Sequence, residues 1–148
     1  MSSNLLNVTP YEQKSKGYCG PACLKMVLEY YGIVKDEEEL AELAECTPQY
    51  GVSGEGLLEA GQYYGLEGKI QDNSSLEDLR DLVMDQKIPV IVDWFALMLD
   101  EKGYYADGHY SVVVGLDTRK VYFIDPEMGQ IRSLKRGVFR RLWFDFYG

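Results

Sequence analysis

Histidine is almost missing from this chain: His109 is the only one in 148 residues. Any imidazole chemistry must therefore run through that single ring, and a metal centre built from several histidines is excluded. Cysteine is nearly as scarce. Cys19, Cys23 and Cys46 are odd in number and show no framework spacing, which argues against a disulfide-stapled module and for free thiols in a reducing cytoplasm. No apolar run approaches the ~18–20 residues needed to span a bilayer. The N-terminal MSSNLLNVTPYEQ lacks a charged start followed by an apolar stretch, so no secretion signal is visible. Basic residues are also in deficit, 15 against 24 acidic ones, for a net charge of -9. So acidic a protein argues against nucleic acid as a partner.

The acidity is uneven. Between residues 29 and 107 acidic side chains outnumber basic ones by 19 to 5, whereas beyond that point basic residues lead by 7 to 4. The basic cluster is Arg132, Lys135, Arg136, Arg140 and Arg141. An acidic middle can steer a basic peptide, although a solubilising surface is its commoner use. Internal repeats, low-complexity tracts and linker-like stretches are absent, so residues 1–148 read as a single domain. With 46% hydrophobic and 13% aromatic residues, the chain can bury a genuine core. Twelve tyrosines suit packing with a hydrogen-bonded tip, or the lining of a cleft.

A first helix is expected to begin near Gly20 and Pro21, where proline is tolerated, and to stop at Gly32. Apart from Lys25 and Glu29 it is apolar nearly all round, which places it inside the domain. DEEELAELAEC opens with Asp36 and Glu39 in capping-box spacing, predicting a second helix with Leu40 and Leu43 facing inward. SGEGLLEAGQYYG reads as a third helix ending at Gly65, LEGKIQ as a short strand, and SLEDLRDLVMDQ as a helix capped by Ser75. IPVIVDWF is a buried strand, followed by the loop LDEKGYYADG. HYSVVVGL and KVYFID form a hairpin across DTR. GQIRSL can add a strand, and GVFRRLWFDF can be either a strand or a closing helix. Helices first and mostly antiparallel strands second predict an α+β domain, with helices packed against one sheet.

The chemistry gathers around QKSKGYCGPACLKMVLEYYG, residues 13–32. A thiol hydrolase needs a thiolate, an imidazole, a group that orients the imidazole, and donors for an oxyanion. Cys19 stands at the start of the first helix, where unpaired N–H groups and the helix dipole favour negative charge. Such surroundings favour a thiolate. Gly20 would let a substrate approach the backbone closely. His109, at the head of HYSVVVG, is the one available base. Asp125, closing YFID, can accept the imidazole Nδ1–H and set the tautomer. For His109 and Asp125 to share a face, the hairpin needs an odd-length loop or a bulge, because side chains alternate faces along a strand. Gln13 and the Cys19 backbone N–H can hold an oxyanion.

Each residue also has a plainer use. Free cysteines are commonly buried filler, a lone histidine is commonly structural, Asp-Pro is a common turn, and Gln13 fits an exposed loop. A Cys₃His zinc site from Cys19, Cys23, Cys46 and His109 has the right ligand count. It is disfavoured because Cys19 and Cys23 cross a helix start, whereas zinc knuckles present cysteines from turns. Cys23 fits packing better.

Taken together, Q-x₅-C-G-P-A-C-L-x-M-V-L-x-Y-Y-G, H-Y-x-V-V-V-G and D-P resemble the peptidase C39-like family of papain-like cysteine peptidases. That family includes bacteriocin-processing domains that cut leader peptides after a double glycine. The resemblance runs over nearly the whole chain and implies a papain-like α+β fold. A central helix would carry the cysteine, and the N-terminal helices would pack on a C-terminal antiparallel sheet. It implies Gln13 for the oxyanion hole, Cys19 as nucleophile, His109 as base and Asp125 as its orienter, with Trp94 and Tyr110 lining the cleft. Tyr18 departs from the acidic or amide residue that many transporter-linked members carry before the nucleophile. No membrane segment or ATPase follows, the pattern of a free-standing member. The expectation is a cytoplasmic cysteine peptidase that acts on a peptide or protein substrate and needs no metal or cofactor. The alternatives are a thiol acyl transferase using the same site, and a non-catalytic peptide-binding module of the same fold.

Overall fold

The computed structural model describes residues 5–15, 17–47, 51–71, 74–100 and 103–144, without the side chains of 94–100, 103–108 and 144. Helix α1, Cys19–Tyr30, buries every residue from Gly20 to Leu28 except Lys25. It packs against strand β2 (Gly103–Leu116) and against helices α2 (Glu37–Leu43) and α3 (Gly54–Tyr63), which makes it the central element. A helix apolar on nearly every side has no other stable place. Gly32, at φ +85, ends it. The Gly32 N–H bonds the Glu29 carbonyl and the Ile33 N–H the Leu28 carbonyl, both at 2.9 Å, the pairing of a Schellman turn.

Helix α2 is where expected but is built differently. Asp36 makes no side-chain cap bond. The buried stripe is Glu37, Leu40, Ala41 and Ala44, and Leu43 is 37% exposed on the flank. With only two turns available, the i, i+3, i+4, i+7 spacing admits one of the two leucines. Ser53 caps α3 and Ser75 forms a capping box with Asp78 at the start of α4, Leu76–Arg80, which widens into a π-type turn over Asp81–Asp85. LEGKIQ forms no strand. Residues 67–71 are exposed on both sides, so no apolar face recruits them to a ladder.

The sheet has four antiparallel strands in the order β1–β2–β3–β4: β1 Val90–Asp100, β2, β3 Lys120–Asp125 and β4 Gln130–Lys135. LDEKGYYADG is not a loop. Its described residues, 99–100 and 103–108, continue both strands of a long hairpin down to the Asp100–Gly103 pair, because a backbone ladder can extend through polar residues when Tyr104 and Tyr105 favour extended structure. GVFRRLWFDF resolves in favour of helix: α5 spans Arg136–Phe144. Its fully buried Phe139 packs in tilted ring pairs against Phe123, with centroids 6.4 Å apart, and against Trp143, one turn along, at 5.5 Å.

The β2–β3 register shifts by one residue. Val113 opposes Phe123 and Gly115 opposes Tyr122, so Val114 is a bulge. Its carbonyl leaves the ladder and accepts the Leu6 N–H at 2.8 Å. The N-terminal arm crosses there against Gly115, where a Cβ would fall 2.4 Å from the Leu5 side chain.

Candidate active site

Cys19 is the first residue of α1. The Tyr18 cap offers no side-chain acceptor and the first turn contains no acid, so no protein carboxylate competes for the positive end of the helix. The sulfur is half-buried and within hydrogen-bonding reach of the His109 imidazole. That ring is 3% exposed, and its Nε2 lies 2.9 Å from Asp125 Oδ1. Because Nε2 is engaged, Nδ1 is left for the thiol. The sequence-based expectation had Asp125 on Nδ1, and the ring is turned the other way.

Burial disfavours the charged imidazole, but the Asp125 hydrogen bond and the neighbouring Cys19 outweigh it and raise the His109 pKa to about 9. Asp125 is buried, which works against its charge. The hydrogen bond and charge of His109, then Arg132 and a backbone N–H, hold it below the usual carboxylate range. Arg132 Nη1 meets Oδ2 at 2.8 Å and the Glu127 N–H meets Oδ1 at 3.0 Å. The sequence placed Arg132 in the basic C-terminal cluster and gave it no part in the site. It opposes Phe123, two places from Asp125 on the same face, so the short turn PEMG sets a diagonal contact. That register was the only signal available.

The bulge at Val114 supplies what the alternation argument required. Leu116 opposes Val121, which in an unbroken ladder would set His109 and Asp125 on opposite faces. One extra residue restores the shared face.

Gln13 is tied to the same end of the sheet through its backbone, whose N–H donates to the Pro126 carbonyl at 2.7 Å. Among the described residues no hydrogen bond joins its side-chain amide to Cys19, His109 or Asp125. Nε2 donates to the Ser15 carbonyl at 3.0 Å, and Oε1 is buried without a partner among the described residues. Gly20 serves packing rather than substrate access. It is buried, and a Cβ there would fall 2.2 Å from Val52 Cγ1. Tyr110 is partly buried with its hydroxyl on the Val52 carbonyl at 3.2 Å. Trp94 opposes His109 in the ladder, and its side chain lies outside the described residues.

The other thiols have a different character. Cys23 is fully buried, and burial pushes it well above its ordinary value. Cys46 is pushed up to about 11, first by burial and then by nearby negative charge. Among the described residues no three or more His, Cys, Asp or Glu side chains are grouped to hold a metal ion, so Cys19, Cys23, Cys46 and His109 do not form a zinc cage. Among the same residues no helix is long and apolar enough to cross a membrane.

Comparison with known proteins gives the family and the fold. The chain belongs to the Peptidase_C39 like family, whose model matches residues 5–147. An uncharacterised protein of Methanothermobacter thermautotrophicus is 32% identical over 144 residues, covering 97% of this chain and 88% of that protein. The transport/processing ATP-binding protein ComA of Streptococcus pneumoniae is 32% identical over 127 residues, 84% of this chain but 16% of ComA. The crystal structure of the peptidase domain of Streptococcus ComA, a bi-functional ABC transporter involved in quorum sensing, superposes with a TM-score of 0.73 at 26% identity over 93% of each chain. The fold is the papain-like α+β fold of C39-like peptidase domains.

Proposed function

We propose that this chain is a cysteine peptidase that hydrolyses a peptide bond in a peptide or protein substrate, with leader peptides a natural class to examine. One observation carries the reading: the only imidazole of the chain is held between the Cys19 thiol and the Asp125 carboxylate. Cys19 Sγ passes its proton to His109 and bonds to the substrate carbonyl carbon. The oxyanion is met by the Cys19 N–H and by the free N–H of the Gln13 amide, whose other N–H is committed to Ser15. The imidazolium protonates the leaving amine as the C–N bond breaks, leaving a thioester. Water, deprotonated by His109, attacks that thioester, releases the carboxylic acid and lets the proton return to sulfur. Asp125 keeps the ring in the right tautomer. Three free thiols support a reducing, cytoplasmic setting.

Iodoacetamide treatment of the native protein near neutral pH, with mass-spectrometric mapping, tests the reading. Cys19 is expected to be labelled at least tenfold faster than Cys23 and Cys46, whose thiols burial holds protonated. A peptide-aldehyde library is expected to yield ligands for the wild type and none for Cys19→Ala. Equal labelling of all three thiols, or none at Cys19, defeats the proposal.

A further inference from the structure

Three consecutive glutamates, Glu37 to Glu39, open α2, and two of them are solvated. Glu38 and Glu39 are exposed, but Glu37 is 1% exposed. A carboxylate so placed needs strong partners to offset its lost hydration. Its hydrogen-bond partners among the described residues all lie in one loop. The Tyr11 hydroxyl donates to Oε1 at 2.9 Å, and the Lys14 backbone N–H reaches Oε1 at 3.1 Å and Oε2 at 3.2 Å. These two residues bracket Gln13. On the other side of the loop, the Gln13 N–H is bound to Pro126, the residue after Asp125. The segment is thus strung between α2 and the turn that holds the His109 partner.

We propose that Glu37 is a positioning residue for the oxyanion hole, holding residues 11–14 so that the Gln13 amide is set in place. The inference rests on the peptidase reading above. The local chemistry favours it over simple packing. Leu40 and Ala41 show that apolar side chains serve this face of α2 well, so an acid is not needed to fill space. An anion accepting a backbone N–H makes a stronger bond than a neutral group does, and both oxygens are used. Tyr11 is kept as a donor, because burial and then the Glu37 contact push its hydroxyl up to about 12. Lys25 of α1 lies 5.2 Å over the Tyr11 ring while bonding the Lys35 carbonyl at 2.9 Å. The loop is thereby referenced to the helix that carries Cys19.

Two reagents separate this role from general stability. Alkylation of Cys19 by iodoacetamide needs the nucleophile but no oxyanion. Binding of the peptide aldehyde selected by the wild type forms a tetrahedral adduct that uses the oxyanion hole. Glu37→Gln, which turns one acceptor into a donor facing donors, is expected to weaken aldehyde binding about tenfold or more and to leave the alkylation rate within about threefold. Gln13→Ala should do the same, and the double variant should be no worse than Gln13→Ala alone, because one residue acts through the other. If Glu37→Gln does not fold, Tyr11→Phe carries the test, with a smaller loss that also vanishes in the Gln13→Ala background. Unchanged aldehyde affinity, losses that add, or alkylation slowed in parallel with binding would overturn the assignment. A wild type labelled at Cys19 that binds no aldehyde removes the oxyanion role and Glu37 with it. A wild type with an inert Cys19 defeats the peptidase reading itself.

Discussion

The His109 imidazole and the Asp125 carboxylate meet at 2.9 Å on one face of the β2–β3 hairpin because Val114 is an extra residue in β2. With the register of 112–113 against 123–124 carried forward, Asp125 falls beside Ser111, two residues from His109 and on its face. The bulge therefore corrects a parity that the turn alone would set wrongly, and it also frees the carbonyl that anchors the N-terminal arm.

Removing the bulge should leave the pair intact, because deletion of Val114 yields an unbroken ladder with the same 113–123 pairing. The deletion is expected to retain peptidase activity within about tenfold. It should lower the melting temperature, since it removes a buried valine and the Leu6 bond, together worth roughly 2–4 kcal/mol. Inserting one alanine after Ser111 should instead turn His109 to the other face and abolish turnover. Assays of both variants decide the matter, and equal loss in the two would refute the parity argument.

His109 gives a single imidazole signal to follow by NMR. Its titration should centre at about 9, against ~6.5 in the unfolded chain. Because the folded value is the higher one, the stability contributed by the imidazolium is fully present below pH ~6.5. It is lost as pH rises through about 9, a difference on the order of 3 kcal/mol. Protonation of the leaving amine needs the same imidazolium, so kcat/KM should fall along an alkaline limb near pH 9. A midpoint near 6.5 with an unchanged fold would show that neither Asp125 nor Cys19 acts on the ring.

Arg132 shares Asp125 with His109, at 2.8 Å from Oδ2, and its guanidinium also lies 5.9 Å over the Phe123 ring. Arg132→Ala should let the Asp125 carboxyl rise towards its ordinary value and lower kcat about tenfold, with a smaller change in KM. Its stability effect should be about 1 kcal/mol, modest because the arginine side chain is 41% exposed. Lysine should restore the rate only in part, since it cannot reproduce a planar contact with both partners. Steady-state kinetics and denaturant titration check this, and unaltered kcat would remove Arg132 from the mechanism.

Gly20→Ala should destabilise the protein by about 1–3 kcal/mol through overpacking, because its methyl group meets Val52. Val52→Ala in the same chain should recover most of that loss. If the single change is neutral in stability yet abolishes turnover, substrate approach rather than packing explains the glycine.

Much of this protein was legible in its residues. The nearly all-apolar run after Cys19 marked a central helix, Ser75 marked the start of another, and runs of β-branched residues marked three of the four strands. LEGKIQ and LDEKGYYADG misled for one reason. Whether a polar stretch is extended depends on whether a neighbouring strand offers it a ladder, which its own residues do not specify. Leu43 misled because a two-turn helix has room for only one buried stripe.

Local chemistry alone determined which atoms were available: one imidazole, a thiol at a helix start, and a carboxylate closing a strand. Side-chain type and short-range spacing carry that information, and no distant contact can alter it. Tertiary structure alone decided that the thiol and carboxylate flank one ring, that Nε2 rather than Nδ1 faces Asp125, and that Arg132 and Glu37 belong to the surroundings of the site. Those outcomes depend on strand register, on one bulged residue and on which of three adjacent glutamates turns inward. Each is settled by long-range packing, where moving a single residue exchanges the buried face for the solvent face.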